Sequence, residues 1–154
     1  MRTRLITLAL ALTLPLAAAA SASAAGNPYT AKGLCGPGYR QIDHHALSDV
    51  GPNGVRYRLA DMVLMYNASS GYNCAVTLKR HRIGKPDYVW ISLQTHRAGD
   101  GDGRTNLKYF AGPAKVYARH RCIVWHGGAE ETMIYHHAAY KLYDAWRSGW
   151  THCS

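Results

Sequence analysis

The sequence predicts a small, mainly β domain, built as an antiparallel sandwich or barrel and ending in a short helix. Three observations predict this fold class. Short segments rich in Val, Ile, Tyr and Trp alternate with Gly- and Pro-rich turns, two pairs of segments are spaced as hairpins, and four cysteines can form two crosslinks. With 47% hydrophobic and 18% charged residues, the chain is too apolar to be disordered, and its 154 residues suit one domain.

The N-terminal stretch has the features of a secretory signal peptide. Two arginines precede an apolar run over residues 5–20, and the small residues Ala22-Ser23-Ala24 follow as a cleavage site. The run has 16 residues, which is short of the roughly 20 that a membrane-spanning helix needs. We therefore expect residues 1–24 to be removed and residues 25–154 to be exported as one domain without a membrane span.

The first segment of the exported part is predicted to be extended. Residues 27–38 contain Pro28 and Pro37, which oppose a helix through most of this stretch. Residues 39–47 follow with a weak one-sided apolar pattern. That pattern fits a short strand or a helical turn.

The clearest strand signal lies in residues 55–80. Apolar and basic residues alternate at first and give way to a nearly continuous apolar stretch, and a second apolar stretch follows the polar turn 67–71. This pattern predicts a β-hairpin. A third strand at residues 88–91 is predicted to pair with the hairpin because its four residues all favour strands.

The second half is predicted to contain an exposed loop, another hairpin and a mixed tail. Residues 94–106 are the most hydrophilic and Gly-rich of the chain, which is typical of a loop. The apolar segments 115–118 and 122–125 flank a basic tip and predict the second hairpin. Residues 132–135 favour a strand, and apolar residues at helical spacing within residues 138–146 predict the short C-terminal helix.

Four cysteines, Cys35, Cys74, Cys122 and Cys153, lie in the predicted exported part. Export to an oxidising space favours two disulfides, for which three pairings can be drawn. We predict the sequential pairing, Cys35 with Cys74 and Cys122 with Cys153, which closes loops of about 40 and 32 residues and stabilises by about 4 kcal/mol each. The chain has no C-x-x-C or H-x-x-x-H spacing, so we expect no metal and no other cofactor.

The charge balance favours an anionic partner. Eighteen Lys and Arg against nine Asp and Glu give a net charge of +9, which falls to +7 without the two arginines of the signal peptide. Cell-wall polymer, nucleic acid and an acidic lipid surface all fit this charge. Two stretches place arginines beside aromatic rings, although solvated turn charges above a core of rings would give the same pattern. The candidate binding residues are Arg80, Arg82, Tyr88, Trp90, Tyr117, Arg119, Arg121 and Trp125.

Catalytic and calcium-binding patterns are incomplete. The segment Asp100-Gly101-Asp102-Gly103 lacks EF-hand ligands, since Arg104 and Ala111 occupy two positions where they are required. A secreted hydrolase acting on RNA or wall polymer is the alternative function, because acid, base and arginine side chains cluster in sequence near the last predicted hairpin. These side chains are Glu130, Glu131, His126, His136 and Arg121.

Several segments occur in a characteristic order along the chain. They are N-P-Y-T and C-G-P-G-Y around Cys35, N-C-A-V-T-L-K around Cys74, Y-F-A-G-P from Tyr109, C-I-V-W from Cys122, and a final His152-Cys153. In this order the chain resembles the spore-associated protein A family of filamentous actinobacteria. The resemblance implies a small secreted protein of the spore or aerial-hyphal surface for which no catalytic residues are established.

These observations together predict a secreted, non-enzymatic protein of the spore or hyphal surface. We expect basic and aromatic contacts to retain it on anionic cell-wall or spore-coat polymer.

The disulfides can be checked on the exported protein by alkylation and mass spectrometry. We expect no cysteine to react with an alkylating reagent until the protein is reduced, because all four thiols are paired. Four alkylated thiols without prior reduction would contradict the prediction.

Overall fold

The computed structural model describes residues 26–153, so the predicted signal peptide lies outside the described residues. Within this range no helix is long and apolar enough to cross a membrane. The elements are α1 (Ala31–Cys35), β1 (Arg40–Val50), β2 (Arg56–Asn67), β3 (Tyr72–Lys79), β4 (Asp87–Gln94), β5 (Gly99–Leu107), β6 (Phe110–Tyr117), β7 (Val124–Tyr135) and β8 (Ala138–Arg147).

The strands form two four-stranded sheets, in which all neighbours are antiparallel. The first sheet has the order β1-β2-β3-β6 and the second the order β5-β4-β7-β8. The main core lies between the sheets and includes Leu59, Met62, Leu64, Ile91, Leu93, Trp125 and Leu142. The predicted mainly β fold is therefore confirmed, and of the two predicted architectures the structure has the sandwich.

The predicted hairpin in residues 55–80 corresponds to β2 and β3, which pair with each other. Side chains of both strands are buried on both faces. One face lies against the second sheet, and the other packs Val63, Val76 and Leu78 against Cys35 and Leu34 of α1. This double burial explains the nearly continuous apolar sequence.

The prediction of an extended first segment is wrong for residues 31–35, which form α1. The side chain of Thr30 caps the helix by accepting a hydrogen bond from the Gly33 N–H at 3.0 Å, and Gly36 ends it with a φ of 99°. Pro28 and Pro37 lie just outside these limits. The two prolines thus bracket a short helix instead of preventing one.

The pairing of the later strands also differs from the prediction. The segments at 115–118 and 122–125 do not form a hairpin, because β6 belongs to the first sheet and β7 to the second. β4, predicted to pair with the first hairpin, pairs with β5 and β7. The basic tip between β6 and β7 therefore crosses from one sheet to the other.

Residues 94–106 and 138–146 contain strands where a loop and a helix were predicted. β5 pairs with β4 through its backbone, although nearly all of its side chains are exposed. In β8 the inward-facing side chains are Leu142 and Trp146. A spacing of four residues fits one face of a strand as well as one face of a helix, which explains the wrong prediction.

Aspartates close both gaps between the sheets. Asp100 and Asp102 of β5 accept hydrogen bonds of 2.7 and 3.0 Å from backbone N–H groups of β6. At the opposite side Asp144 of β8 and Asp49 of β1 each accept one from the facing strand, at 2.8 and 2.9 Å. These bonds satisfy donors on edge strands that have no backbone partner there. The donors belong to Lys115, Gly112, Ser48 and Tyr143.

Two disulfides are present, as predicted. Cys35 is bonded to Cys74, which attaches α1 to β3. Cys122 is bonded to Cys153, which attaches the start of β7 to the C-terminal segment, where Ile123 and Thr151 also form an isolated β-bridge. The structure thus has the sequential pairs.

The contribution of the aspartate contacts between the sheets can be measured by urea unfolding. We expect Asp144→Ala to lower the free energy of unfolding by about 1.5–3 kcal/mol, because a backbone N–H loses a charged acceptor. Glu130→Ala is the matched control, since the only ion pair of Glu130 among the described residues is a partly exposed one with Lys141, which should contribute less than about 1 kcal/mol. Equal losses in the two variants would show that the contact does not hold the sheets together.

Candidate functional site

Two of the predicted binding residues, Arg80 and Arg82, are bound to buried carboxylates. Arg80 Nε donates to Asp61 Oδ2 at 2.5 Å, and Arg82 Nε lies 3.2 Å from Asp87 Oδ1. Burial alone would raise the pKa of Asp61, but the hydrogen bonds and charges of Arg80 and Arg58 outweigh it and hold that pKa below its usual value. These arginines therefore neutralise internal charge.

A buried lysine, which sequence reasoning missed, lies beside this network. Lys79 at the end of β3 has no exposed surface. Its Nζ donates to the carboxylate of Asp87 and to the carbonyl oxygens of Arg82 and Lys85, the latter two at 3.1 and 2.9 Å. All three protons of the ammonium group are therefore used to hold the β3–β4 connection.

Glu131 of β7 points into the same end of the sandwich. Its Oε2 lies 2.6 Å from Nδ1 of His81, and its Oε1 has no hydrogen-bond partner among the described residues. Burial raises the pKa of Glu131, although the hydrogen bond from His81 and the charge of Lys79 act in the opposite direction. The partly exposed His81 is thus anchored by a fully buried carboxyl.

The groups proposed for the alternative hydrolase do not meet in one place. His126 and Glu131 are five residues apart on β7, so their side chains point to opposite faces of the sheet. His126 and Glu130 share a face but are about 13 Å apart along the strand. Glu130 contacts Lys141, and His136 lies in the β7–β8 turn with a φ of 47°. Burial and the charge of Arg147 lower the pKa of His126.

Tyr117, Arg119 and Trp125 have three different environments. Tyr117 is exposed and contacts the ring of Tyr72 edge-on, with centroids 5.6 Å apart. Arg119 Nη2 donates to two carbonyl oxygens of the β2–β3 turn, at 2.8 and 2.7 Å. Trp125 is completely buried in the core. Of these three, only Tyr117 offers its ring to a ligand.

Tyr88 and Trp90 lie on the outer face of the second sheet, with Tyr143 of β8. We call these three residues the aromatic row. Arg80 and Arg82 do not share this face, since they bind Asp61 and Asp87 at the end of the sandwich. The structure therefore separates the arginines from the rings that adjoin them in sequence.

The remaining predicted residue, Arg121, lines a cleft of about 410 Å³ at the opposite end of the sandwich. Two turns form the cleft. Thr95 Oγ1 accepts hydrogen bonds from the N–H groups of Arg97 and Ala98, and the Arg121 N–H donates to the Ala118 carbonyl. We call this site the basic cleft, and its lining residues are Thr95, His96, Arg97, His120, Arg121 and Cys122.

Cationic and imidazole groups dominate the basic cleft. His96 is stacked on Trp150 with ring centroids 3.8 Å apart. Within residues 26–153, Arg97 and Arg121 form no ion pair with a carboxylate, and no acidic residue lines the cleft. Two permanently charged guanidinium groups therefore face solvent together. Sequence reasoning missed His96 and Arg97 because it assigned their segment to a loop without function.

All nine Asp and Glu side chains of the protein are engaged elsewhere. Four bind backbone N–H groups between the sheets, and the other five bind arginine, lysine or histidine side chains. The net charge of +7 for the part without Arg2 and Arg4 therefore appears as cations that no acid neutralises. In the described part of the chain, no three His, Cys, Asp or Glu side chains gather as a metal site would require.

Fold and site together define a small basic β-sandwich with two disulfides, an aromatic row on one face and a basic cleft at one end. The chain is 33% identical over 104 residues to spore-associated protein A of Streptomyces coelicolor. That match covers 67% of this chain and 61% of the relative, less than two thirds of its length. The resemblance to the spore-associated protein A family is thereby confirmed. No protein-family model and no solved structure matches the chain.

The buried carboxyl of Glu131 predicts a pH effect on stability. Its raised folded-state pKa means that its contribution is fully present below the usual value of 4.5 and is lost as the pH rises through the folded-state pKa. Glu131→Gln keeps an acceptor for His81 but cannot ionise. We therefore expect the variant to become more stable relative to wild type as the pH rises between the unfolded-state and folded-state pKa values, with a slope of up to about 1.4 kcal/mol per pH unit.

Urea unfolding between pH 4 and pH 8 measures this difference. Glu130→Gln, at a partly exposed carboxyl, is the control and should show a difference that does not vary with pH. The raised pKa of Glu131 would be contradicted if the free energy of unfolding of Glu131→Gln, relative to wild type, stayed constant or fell as the pH rises.

Proposed function

We propose that this chain is a secreted protein of the spore or hyphal surface that binds anionic cell-wall or spore-coat polymer through the basic cleft, without catalysis. The observation that carries the proposal is the pair Arg97 and Arg121, which face solvent in one cleft while every Asp and Glu side chain is engaged elsewhere. The printed name of the relative, spore-associated protein A, supports the location.

The chemistry of the basic cleft suits phosphate or carboxylate groups. A guanidinium group stays charged at any physiological pH and can hold such an anion with two parallel hydrogen bonds. The ring of Trp150, stacked on His96, adds an apolar wall next to the cations. A polymer with an anion at each repeat would contact both arginines and extend beyond the cleft toward the exposed ring of Tyr117.

Retention on purified spores tests the electrostatic part of the proposal. Electrostatic attachment predicts release by a few hundred millimolar NaCl, because the Debye length falls from about 10 Å at 0.1 M to about 3 Å at 1 M. Retention that does not change in high salt would contradict it.

Isolated cell walls test the basic cleft itself. We expect the double variant Arg97→Gln/Arg121→Gln to bind about tenfold more weakly at 0.1 M NaCl. A tenfold loss corresponds to losing one charge-assisted hydrogen bond, which contributes about 1.5 kcal/mol. The matched control is Arg56→Gln/Lys108→Gln, which removes two exposed cations at the other end of the sandwich. Walls stripped of phosphate polymer by acid should bind neither form tightly.

Two outcomes would overturn the assignment. An equal loss in the control variant would show that overall charge, and not the basic cleft, retains the protein. The protein could also bind single-stranded RNA more tightly than walls and lose that binding in the variant Arg97→Gln/Arg121→Gln. This result would identify nucleic acid as the ligand of the basic cleft.

A further inference from the structure

The aromatic row is a built feature of the outer face of the second sheet. Trp90 lies between Tyr88 and Tyr143, with ring centroids 5.1 and 6.0 Å away and ring planes that differ by 21° and 23°. Tyr88 is 37% exposed and Tyr143 is 52% exposed. The partly buried Trp90 and the exposed Tyr88 and Tyr143 thus form a stack of near-parallel rings at the surface.

Glycines give the aromatic row a floor without side chains. Gly103 of β5 and Gly128 of β7 are the cross-strand partners of Trp90 on its two sides. A Cβ on Gly128 would overlap the six-membered ring of Trp90, and a Cβ on Gly103 would lie 2.6 Å from Cβ of Trp90. Only glycine therefore allows the indole to lie directly over the β7 backbone. Glycine inside a strand is typical of places where another group approaches the backbone closely.

The floor continues along β5. Its residues opposite Gln94, Ser92 and Trp90 are Gly99, Gly101 and Gly103. In residues 99–103 the positions on the side of Trp90 therefore lack side chains. These glycines leave a flat strip of open backbone beside the rings, next to the side chains of Ser92 and Gln94. We call this strip the glycine shelf.

The acidic and basic side chains directly beside Tyr88 and Tyr143 pair with each other. Glu130, the cross-strand partner of both Tyr88 and Tyr143, forms an ion pair of 2.6 Å with Lys141. The row differs in this respect from the basic cleft, which no acidic side chain of residues 26–153 lines. Charge complementarity therefore favours an uncharged ligand on this face.

We propose that the aromatic row is a binding site for an uncharged polysaccharide. A pyranose ring has a face of C–H bonds and a rim of hydroxyl groups, and tyrosine and tryptophan rings have apolar faces with an O–H or N–H group at the rim. Successive sugars of one chain lie across the rings and the glycine shelf, with Glu130, Lys141 and Ser92 available to their hydroxyl groups. This site is separate from the basic cleft and does not depend on it.

The aromatic row by itself is too small to hold a second copy of the chain in a stable dimer. At the observed exposures, three aromatic side chains offer on the order of 250 Å² to a partner. A stable dimer needs about 800 Å² from each subunit. A narrow, ring-lined strip of this area fits a single polymer chain.

Binding to two uncharged β-1,4-linked polymers, chitin and cellulose, tests the proposal, with their soluble hexasaccharides used for titration by tryptophan fluorescence. We expect the native protein to bind at least one of them with an affinity that changes less than twofold between 0.1 and 1 M NaCl. Tyr88→Ala/Tyr143→Ala should weaken that binding by tenfold or more. Tyr143→Ala alone, a change at an exposed side chain, serves if the double variant does not fold.

The matched control is Tyr72→Ala/Tyr117→Ala, which removes an equally exposed tyrosine pair from the first sheet. It should bind the polymers like the native protein, and so should Arg97→Gln/Arg121→Gln. The proposal is overturned if the native protein binds neither polymer, if 1 M NaCl abolishes binding, or if the control loses as much as the row variant. A dimer that depends on Tyr88 and Tyr143 in sedimentation would also overturn it.

Discussion

The hydrogen bonds from aspartate side chains to backbone N–H groups across the two open sides of the sandwich are the interaction on which the rest of this fold depends. Both sheets end in edge strands, and β5 meets β6, as β1 meets β8, without a backbone ladder. Carboxylates take the place of the missing carbonyl acceptors. The core is thereby enclosed on all sides, although neither sheet closes into a barrel.

The same use of carboxylates determines the surface charge. Acidic residues that fix the edges, or that neutralise the buried Lys79 and the arginines near it, are not available to balance cations at the surface. The number of unpaired cations at the surface therefore depends on how the fold is held together as well as on composition. Arg97 and Arg121 bring two of these cations together where two turns meet at one end, whereas Glu130 and Lys141 pair with each other beside the aromatic row.

The parts of the fold that could be predicted are the strands whose pattern of apolar and polar residues follows from their burial. β2 and β3 were recognisable because both of their faces are buried. β5 was not, since its pairing is made by the backbone and its side chains contribute little to the core. The sheet to which β6 and β7 belong depends on contacts far along the chain, which no local pattern encodes. Arg121 was identified as a candidate from its local sequence. Its proximity to Arg97 and the contact of His81 with Glu131 were not predicted, because both join residues that are far apart in the sequence.

The glycines of β5 have a further consequence for the folding landscape. A strand with three glycines among its nine residues gains little from packing and loses much backbone entropy on folding, roughly 0.5–1 kcal/mol per glycine relative to alanine. It is therefore the element that opens first in local unfolding. Its departure uncovers the edges of β4 and β6 together, which are then free to pair with strands of other molecules. The strand that leaves the outer face flat is thus also the place where aggregation of this domain would begin.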